Sequence, residues 1–338
     1  MTNTTVATAG YSAKALFKRV ALQIPSIRRL RDQRDQLAEQ LQAALSQRDQ
    51  SAKDILATRN EGEAQQTIAT PPTLVTLAGR AKQNAPEIHA LRENYNAGDF
   101  GSWAEASSAA GQGWAASDIL EKVRASALKA KRGEIAFERD SIAFQRRELH
   151  WPLLTCICMA ALHSRAGQFH LLDFGGSLGS TYFQHRPELS EIPRLQWSIV
   201  EQPHFVDCGQ REFQDDVLQF FDTIGNAAQR APIDLAMFSG SLQCIPDPFR
   251  ALENAADTGA PYLLLDRIPI TDGDRDLITI KHVVHPAFYS ARLPHRAFSK
   301  RRLFEKIAAL RYRVLWDFPT IDGGDNRSTR QGVFCERL

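Results

Sequence analysis

A short apolar run that ends in an acid and three glycines is the part of the sequence best suited to chemistry. It extends from Phe169 to Ser180 and reads F-H-L-L-D-F-G-G-S-L-G-S. Glycine permits positive φ and close backbone approach, so Gly175, Gly176 and Gly179 predict a tight turn between a buried strand and a helix. The unpaired N–H groups of the helix N-terminus and the carboxylate of Asp173 would then face a nucleotide-like ligand.

Two further predicted strands also end in an acid. They are Leu195–Glu201 and Val217–Asp222, and both follow the glycine turn along the chain. In an open parallel sheet, ligands bind beyond the carboxyl ends of the strands, so we expect these acids to lie beside the turn. Glu201 could accept hydrogen bonds from both hydroxyls of a ribose, and Asp222 could receive an adenine amino group. The pattern therefore predicts an adenosine derivative as the ligand.

The chemistry of the turn favours a cationic ligand over a pyrophosphate. A dinucleotide site takes the pattern G-x-G-x-x-G, in which the pyrophosphate meets the helix N-terminus. This turn is G-G-S-L-G and follows an acid that would repel phosphate, whereas S-adenosylmethionine carries an ammonium group that a carboxylate can bind. A nucleotide-dependent oxidoreductase on a similar sheet is the alternative enzyme. The residues predicted to contact the S-adenosylmethionine cofactor are Asp173, Gly175, Gly176, Ser177, Gly179, Glu201, Gln202, Asp222, Ser239 and Gln243.

The candidate residues for a methyl acceptor follow the fifth predicted strand, Pro261–Arg267. A segment rich in histidine and arginine, Lys281–Arg296, comes next in the chain. Methyl transfer to a hydroxyl requires positioning and a base. The predicted catalytic residues are His282, His285 and Asp266, and the predicted acceptor-binding residues are Arg267, Tyr289, His295 and Arg296. The histidines of this loop could instead be bonded to backbone groups. A metal site would need partner carboxylates that the pattern does not supply, so no metal is predicted.

The elements that must position these residues alternate between strand and helix from Phe169 onward. This interval is typical of a doubly wound parallel α/β sheet. The remaining strands are predicted at Ile233–Gln243, Tyr312–Phe318 and Gly332–Arg337. We therefore expect a seven-stranded, Rossmann-like sheet whose last two strands form an antiparallel hairpin.

Four segments are predicted along the chain. Residues 26–59 contain no Gly or Pro and predict a long exposed helix, whose thin heptad pattern fits either a coiled coil that forms a homo-oligomer or a solvated arm. The predicted segments are an N-terminal helical or coiled-coil segment at 1–60, a linker at 61–73, a helical cap or lid at 74–165 and the catalytic domain at 166–338.

Two aromatic loops stand out in the cap segment, Asn96–Ala106 and Gly111–Trp114. The first is predicted to close onto a helix that Ser102 caps, with Glu105 completing a capping box. The tryptophans of these loops either cover the ligand as a lid or anchor the packing of the cap. Further helices are predicted at Ser117–Gly133 and His150–Leu162.

The composition predicts a cytoplasmic globular protein. The chain has 338 residues and a formal net charge of +2, and its basic residues are too scattered for a nucleic-acid surface. Its five cysteines show no metal-ligand spacing and suggest free thiols in a reducing compartment. No stretch approaches the ~20 apolar residues of a membrane span. Ala15–Leu22 could lie on a membrane surface but is more typical of the start of an amphipathic helix.

Four motifs together resemble a family of class I S-adenosylmethionine-dependent methyltransferases associated with bacterial surface-polysaccharide genes. The motifs are D-F-G-G-S-L-G-S, W-S-I-V-E-Q, F-S-G-S-L-Q-C-I-P-D-P and L-L-L-D-R-I-P-I, and G-D-F-G-S-W-A-E-A upstream is also similar. The resemblance covers roughly Asn94–Leu338. It implies a sheet of seven strands with the last one reversed, a methyl donor at the first turn, and O-methylation of a sugar or glycan-related acceptor. Ser177 departs from the usual turn, in which a glycine takes this place. A non-catalytic oligomeric scaffold with such a domain is the second alternative.

Overall fold

The computed structural model describes residues 95–111, 117–164, 167–283, 291–320 and 327–338, which belong to one compact unit, Ala81–Leu338. The predicted N-terminal helix, coiled coil and linker lie outside the described residues. The helices are α1 (Trp103–Ala110), α2 (Ser117–Arg132), α3 (Trp151–Leu162), α4 (Ser180–Leu189), α5 (Pro203–Glu212), α6 (Ile224–Ala228), α7 (Pro248–Asp257) and α8 (Lys300–Ala309). The strands are β1 (Tyr95–Phe100), β2 (Phe137–Arg139), β3 (Ile142–Phe144), β4 (Phe169–Phe174), β5 (Leu195–Val200), β6 (Leu218–Phe221), β7 (Leu235–Ser239), β8 (Tyr262–Thr271), β9 (Leu277–Val283), β10 (Ala291–Ser299), β11 (Tyr312–Pro319) and β12 (Thr329–Arg337).

The seven strands predicted from the sequence form one continuous sheet. Its order is β6-β5-β4-β7-β8-β12-β11, in which β12 runs antiparallel to both neighbours and the others are parallel to one another. The chain leaves β4 toward β5 and β6, then returns to place β7 on the other side of β4. The strand order therefore reverses between β4 and β7, which is where an open α/β sheet holds its ligand. The reversed last strand is the arrangement that the resemblance implied.

Alternate residues of the central strands supply two cores on opposite faces of the sheet. Leu171, Trp197 and Leu235 point to the face covered by α3, α4 and α5, whereas Leu172 and Ala236 point to the face covered by α7 and α8. All five side chains are fully buried or nearly so. This explains why the strands are apolar almost throughout: both faces of a parallel sheet are covered by helices. The sheet is thus doubly wound, as predicted.

The region that the sequence suggested to be a histidine-rich loop is a β-hairpin, β9–β10, with β1 on its outer edge. Strands β1, β9 and β10 pair antiparallel, and the end of β10 joins the end of β8. His282 lies in β9, and both His295 and Arg296 lie in β10. The loop prediction was therefore wrong for these three residues, because strand pairing along this insertion decides their conformation.

The cap segment begins with a strand and a capped helix. Asn96–Phe100 belong to β1, so the loop predicted there is wrong up to Phe100. Ser102 caps α1 as predicted: its Oγ accepts the N–H of Glu105 at 3.2 Å, and the Glu105 carboxylate accepts the N–H of Gly101 at 3.0 Å. In the described part of the chain, no helix is both long and apolar enough to cross a membrane.

A short hairpin that the sequence did not predict, β2–β3, packs on α2 and α4. Its two loop residues, Asp140 and Ser141, have φ of 51° and 71°. Such a pair of positive φ values matches the right-handed twist of a two-residue hairpin. The rings of Phe137 and Phe144 stack across the strands with centroids 4.4 Å apart. The hairpin tip thereby reaches the edge of the sheet where the strand order reverses.

Candidate functional site

A cavity of about 390 Å³ lies beyond the carboxyl ends of β4, β5, β6 and β7. This volume is within the range of small-molecule and cofactor sites, about 300–1,000 Å³. Its wall contains residues from the glycine turn, from the ends of the strands, from α2 and from the β2–β3 hairpin. The lining residues are Ile119, Val123, Arg139, Asp140, Phe174, Gly175, Gly176, Ser177, Ser180, Thr181, Val200, Glu201, Gln202, Pro203, Phe205, Asp222, Ser239, Gly240, Ser241, Cys244, Ile245 and Arg267.

The glycine turn after β4 is shaped by contacts with β5 and with the segment after β7. Gly175 has a φ of 72°, and its N–H donates to the carbonyl of Val200 at 2.8 Å. A side chain at Gly175 would collide with Ser241, whose Oγ donates to the carbonyl of Phe174 at 2.5 Å. Glycine is therefore required at this position by both backbone conformation and space. The turn ends at Gly179, which has a φ of 97° and immediately precedes α4.

Asp173 stands behind the glycine turn rather than in the cavity wall. It is 1% exposed, and its Oδ2 accepts the indole N–H of Trp197 at 3.1 Å. A Cβ on Gly176 would lie 2.5 Å from the same oxygen, so the turn packs directly against the carboxyl group. Burial raises the pKa of Asp173 to about 7, with the Trp197 hydrogen bond acting in the opposite direction. Asp173 is therefore not among the residues that line the cavity.

The acids after β5 and β6 do line the cavity. Glu201 accepts the backbone N–H of Ser177 at 3.3 Å through Oε1 and that of Gln202 at 2.8 Å through Oε2. These bonds hold the carboxylate between the glycine turn and the start of α5, while burial raises its pKa. Asp222 is exposed, and its Oδ1 accepts the side-chain amide of Asn226 at 2.7 Å. The two acids therefore form one acidic end of the cavity.

The opposite end is formed by the segments after β7 and within β8. Ser239 lines this end, and its Oγ donates to Oδ2 of Asp266 at 2.6 Å. Asp266 is 1% exposed and does not line the cavity, and its other oxygen lies 3.8 Å from Nε2 of the buried His150. Arg267 does line the cavity and donates from Nη2 to the carbonyl of Ser239 at 3.1 Å.

The β2–β3 hairpin, which packs on α4, forms another part of the cavity wall. Arg139 and Asp140 at its tip line the wall, and Glu138 is 1% exposed. The Glu138 carboxyl group accepts the hydroxyl of Ser180 and the backbone N–H of Ser141. Burial raises the pKa of Glu138 to about 7. The contact with Ser180 fixes the hairpin to the first residue of α4, directly beyond the glycine turn.

Seven of the ten predicted cofactor residues lie in this cavity wall: Gly175, Gly176, Ser177, Glu201, Gln202, Asp222 and Ser239. Gly179 starts α4 next to the wall, and Asp173 lies behind it. Gln243 is 3% exposed and donates from Nε2 to the carbonyl of Arg267 at 3.4 Å. It supports the wall from behind.

Most of the predicted acceptor and catalytic residues lie elsewhere. His282 and His295 are not in the cavity wall, and burial lowers the pKa of His282. Arg296 lies in an ion pair with the buried Asp276 at 3.1 Å and stacks 5.5 Å from the ring of Trp103. Trp103 thus takes part in packing and does not line the cavity. The other predicted residues of this group, His285 and Tyr289, lie outside the described residues, as does Trp114.

Sequence reasoning missed the residues that the hairpin and α2 bring to the cavity. Asp140 and Arg139 were part of a stretch without a recognised turn signal, because Asp-Ser lacks the glycine that usually marks a two-residue hairpin. The segment S-G-S-L-Q, by contrast, carried a usable signal. Gly240 between two serines at a strand end indicates a close approach of backbone, and Ser241 and Cys244 of this segment both line the cavity.

Comparisons with known proteins give structural similarity only. No protein-family model matches the chain, and no curated protein matches its sequence. The 1,6-didemethyltoxoflavin-N1-methyltransferase of Burkholderia thailandensis, solved with S-adenosylhomocysteine, is 17% identical, with 56% of this chain and 80% of that chain covered and a TM-score of 0.35. The mitomycin 7-O-methyltransferase MmcR is 16% identical, with 55% and 54% covered and a TM-score of 0.34. An S-adenosylmethionine-dependent methyltransferase from Clostridium acetobutylicum is 10% identical, with 56% and 92% covered and a TM-score of 0.38.

Proposed function

We propose that this chain is an S-adenosylmethionine-dependent methyltransferase. The observation that carries the proposal is a single cavity, at the reversal of strand order, whose wall combines the glycine turn after β4 with the acids after β5 and β6. These are the groups that an adenosine with an amino-acid tail requires. A pyrophosphate bound here would bring its negative charge close to Glu201 and Asp222, and the like charges would repel each other.

The residues present fit the cofactor in shape and in hydrogen-bonding capacity. Gly175 and Gly176 line the cavity, and the positions that their Cβ atoms would take are occupied by Ser241 and Asp173. Glu201 uses one hydrogen bond on each carboxylate oxygen, and each oxygen has a second lone pair available for a ribose hydroxyl. Phe205 and Val200 supply apolar surface beside it, where an adenine ring could pack, and Asp222 stands at the same end for the adenine amino group.

The acceptor would then occupy the end of the cavity that Ser239, Cys244 and Arg267 line. The cofactor supplies a methyl group already activated by its sulfonium, so the chain's own task is to align the acceptor and exclude water. For a hydroxyl acceptor the reaction also needs a place for the proton. Among the described wall residues, Asp140 is the carboxylate left to accept this proton, because Glu201 and Asp222 stand at the adenosine end. We extend the proposal to O-methylation of a sugar or glycan-related acceptor, a step supported only by the resemblance of the motifs.

Calorimetric titration with S-adenosylhomocysteine tests the proposal. We expect saturable binding by the unchanged chain and a dissociation constant about 10- to 100-fold higher for Glu201→Gln, which removes a charge-assisted acceptor. Glu191→Gln, on an exposed residue away from the cavity, is the matched control and should bind normally. Absence of heat and of thermal stabilisation with the unchanged chain would overturn the proposal in favour of a scaffold. Binding of NADH in its place would favour an oxidoreductase.

A further inference from the structure

A β-bulge in β8 turns an arginine into the cavity. Asp266 and Arg267 together stand opposite the single residue Gly332 of β12, since Leu265 pairs with Val333 and Ile268 pairs with Gln331. Arg267 has a φ of 56°, a left-handed conformation that costs a non-glycine residue about 1–2 kcal/mol. Bulges of this kind re-aim side chains and are frequent beside active sites. Strain at such a residue is also common where a ligand is held.

Hydrogen bonds from and to its neighbours hold Arg267 in this conformation. Its carbonyl accepts the side chains of Gln243 at 3.4 Å and Arg330 at 3.3 Å. Its own Nη2 donates to the carbonyl of Ser239 at 3.1 Å. The guanidinium lies on the backbone of Gly240, where a Cβ would come within 2.5 Å of Nη2. Because Gly240 has no side chain, the guanidinium of Arg267 has room to lie in the wall.

Charges of both signs surround Arg267. The carboxylate of Asp266 lies 3.9 Å from Nε of Arg267, behind the wall, and Asp140 lies in the wall itself. The side chain of Arg330 brings a second cation close, since it donates to the carbonyl of Arg267 at 3.3 Å. Arg267 places its guanidinium in the wall beside Ser239 and Cys244, whereas the acids Glu201 and Asp222 line the other end of the cavity.

We propose that Arg267 binds an oxyanion, a carboxylate or a phosphate, carried by the methyl acceptor. The inference rests on the proposed function, because that function assigns the acidic end of the cavity to adenosine and leaves this end to the acceptor. An arginine binds a planar carboxylate or a phosphate through two parallel hydrogen bonds, which also fixes orientation. The acceptor would therefore be an acidic small molecule positioned by its anionic group.

A rival occupant of the same arginine is the carboxylate of the cofactor's own amino-acid part. The position of Arg267 favours the acceptor, since Arg267 belongs to β8, whereas the glycine turn that would hold the amino-acid part follows β4, two strands away. The two possibilities also differ in what they do to cofactor affinity. S-adenosylhomocysteine has the carboxylate and 5′-methylthioadenosine lacks it, so the pair of ligands separates them.

The experiment titrates the full chain, saturated with S-adenosylhomocysteine, with inorganic phosphate and separately with acetate at constant ionic strength. We expect saturable binding of at least one anion, and we expect Arg267→Asn to weaken it about tenfold or more. Asparagine tolerates left-handed φ, so the backbone of this variant is spared. Arg311→Asn is the matched control, because Arg311 is an exposed arginine with a φ of 66° outside the cavity wall.

The affinity for the cofactor product decides between the possible outcomes. Unchanged binding of S-adenosylhomocysteine by Arg267→Asn, with anion binding lost, supports the inference and shows that the variant is folded. Weakened S-adenosylhomocysteine binding with unchanged 5′-methylthioadenosine binding overturns it in favour of the cofactor carboxylate. Anion binding that is absent, or equal in the Arg267→Asn and Arg311→Asn variants, overturns it as well. A chain that fails to bind S-adenosylhomocysteine at all contradicts the proposed function instead.

Discussion

Asp173 shows how a single acid can shape a cavity wall without lining it. Its carboxyl group is held between the indole of Trp197 and the backbone of Gly176, both inside the protein. Because burial of a carboxylate is unfavourable, the pKa of Asp173 is raised to about 7, and the charge of Glu201 acts in the same direction. The hydrogen bond from Trp197 and the charge of Arg267 lower this pKa in part. Asp173 therefore supports the turn from behind.

The raised pKa of Asp173 makes stability depend on pH. The folded chain holds this proton more tightly than the unfolded chain, whose carboxyl pKa is near 3.8, so the folded state binds more protons between about pH 4 and 7. The free energy of unfolding should consequently fall as pH rises through this window, by on the order of 1.4 kcal/mol per unit of pKa difference. Asp173→Asn should remove this part of the pH dependence while keeping an acceptor for Trp197.

Urea unfolding followed by tryptophan fluorescence at a series of pH values measures the effect. Glu138 has a pKa raised to about 7 by burial and adds a slope of the same sign, so Glu138→Gln serves as a second variant. We expect each substitution to flatten the dependence in part. An equally steep decline in Asp173→Asn and the unchanged chain would contradict the assignment.

At the residue scale, the sequence predicted the acids of the site but not their orientation. Glu201 and Asp222 could be placed beside the glycine turn because strand ends meet at one edge of a parallel sheet. The inward orientation of Asp173 depends on Trp197, 24 positions later, whose indole reaches it across β4 and β5. Such a contact follows from strand register and side-chain packing, which no local pattern in the sequence reports.

The β2–β3 hairpin is the element that completes the cavity. Each strand has only three residues, and its position depends on the stacked phenylalanines and on the contact between Glu138 and Ser180. The loop contains Ser141 at a φ of 71° with its Oγ buried and without a hydrogen-bond partner. Both features cost stability, so the hairpin is held in place by the packing around it.

Replacing the strained serine should stabilise the hairpin. Ser141→Gly removes the left-handed penalty and the unsatisfied hydroxyl but keeps the N–H that donates to Glu138. After the entropy cost of glycine is subtracted, we expect a gain of about 1 kcal/mol in the free energy of unfolding. Denaturant titration measures it. Ser141→Ala removes only the hydroxyl and keeps the Cβ, so a Gly variant less stable than the Ala variant would refute the explanation.

At the element scale, the sequence predicted the strands of the parallel sheet and missed the inserted ones. Apolar runs that end in acids or glycines marked β4, β5, β6 and β7, since burial on both faces leaves such runs. The β9–β10 hairpin was missed because its strands mix charged and apolar residues. In β10 the buried side chains include Pro294 and His295, and neither residue type favours a strand.

The whole molecule divides between a first unit, Met1–Arg80, and a second unit that contains every lining residue of the cavity. We therefore expect deletion of residues 1–80 to leave the affinity for S-adenosylhomocysteine unchanged, as calorimetry can measure. Light scattering of the same deletion tests the proposed homo-oligomer of residues 26–59. We expect fewer chains per particle than in the unchanged protein. A changed cofactor affinity would contradict the assignment of the site to the second unit alone.

Strand β8 joins two halves of the sheet, the parallel strands that begin with β7 and the β9–β10 hairpin. It pairs with β7 as far as Asp266, turns at the bulge, and then pairs with β10 at Ile270. The two halves are thus one hydrogen-bonded surface, which resists rotation of one against the other. The end of the cavity that Arg267 lines should consequently keep its distance from the glycine turn whether or not a ligand is bound.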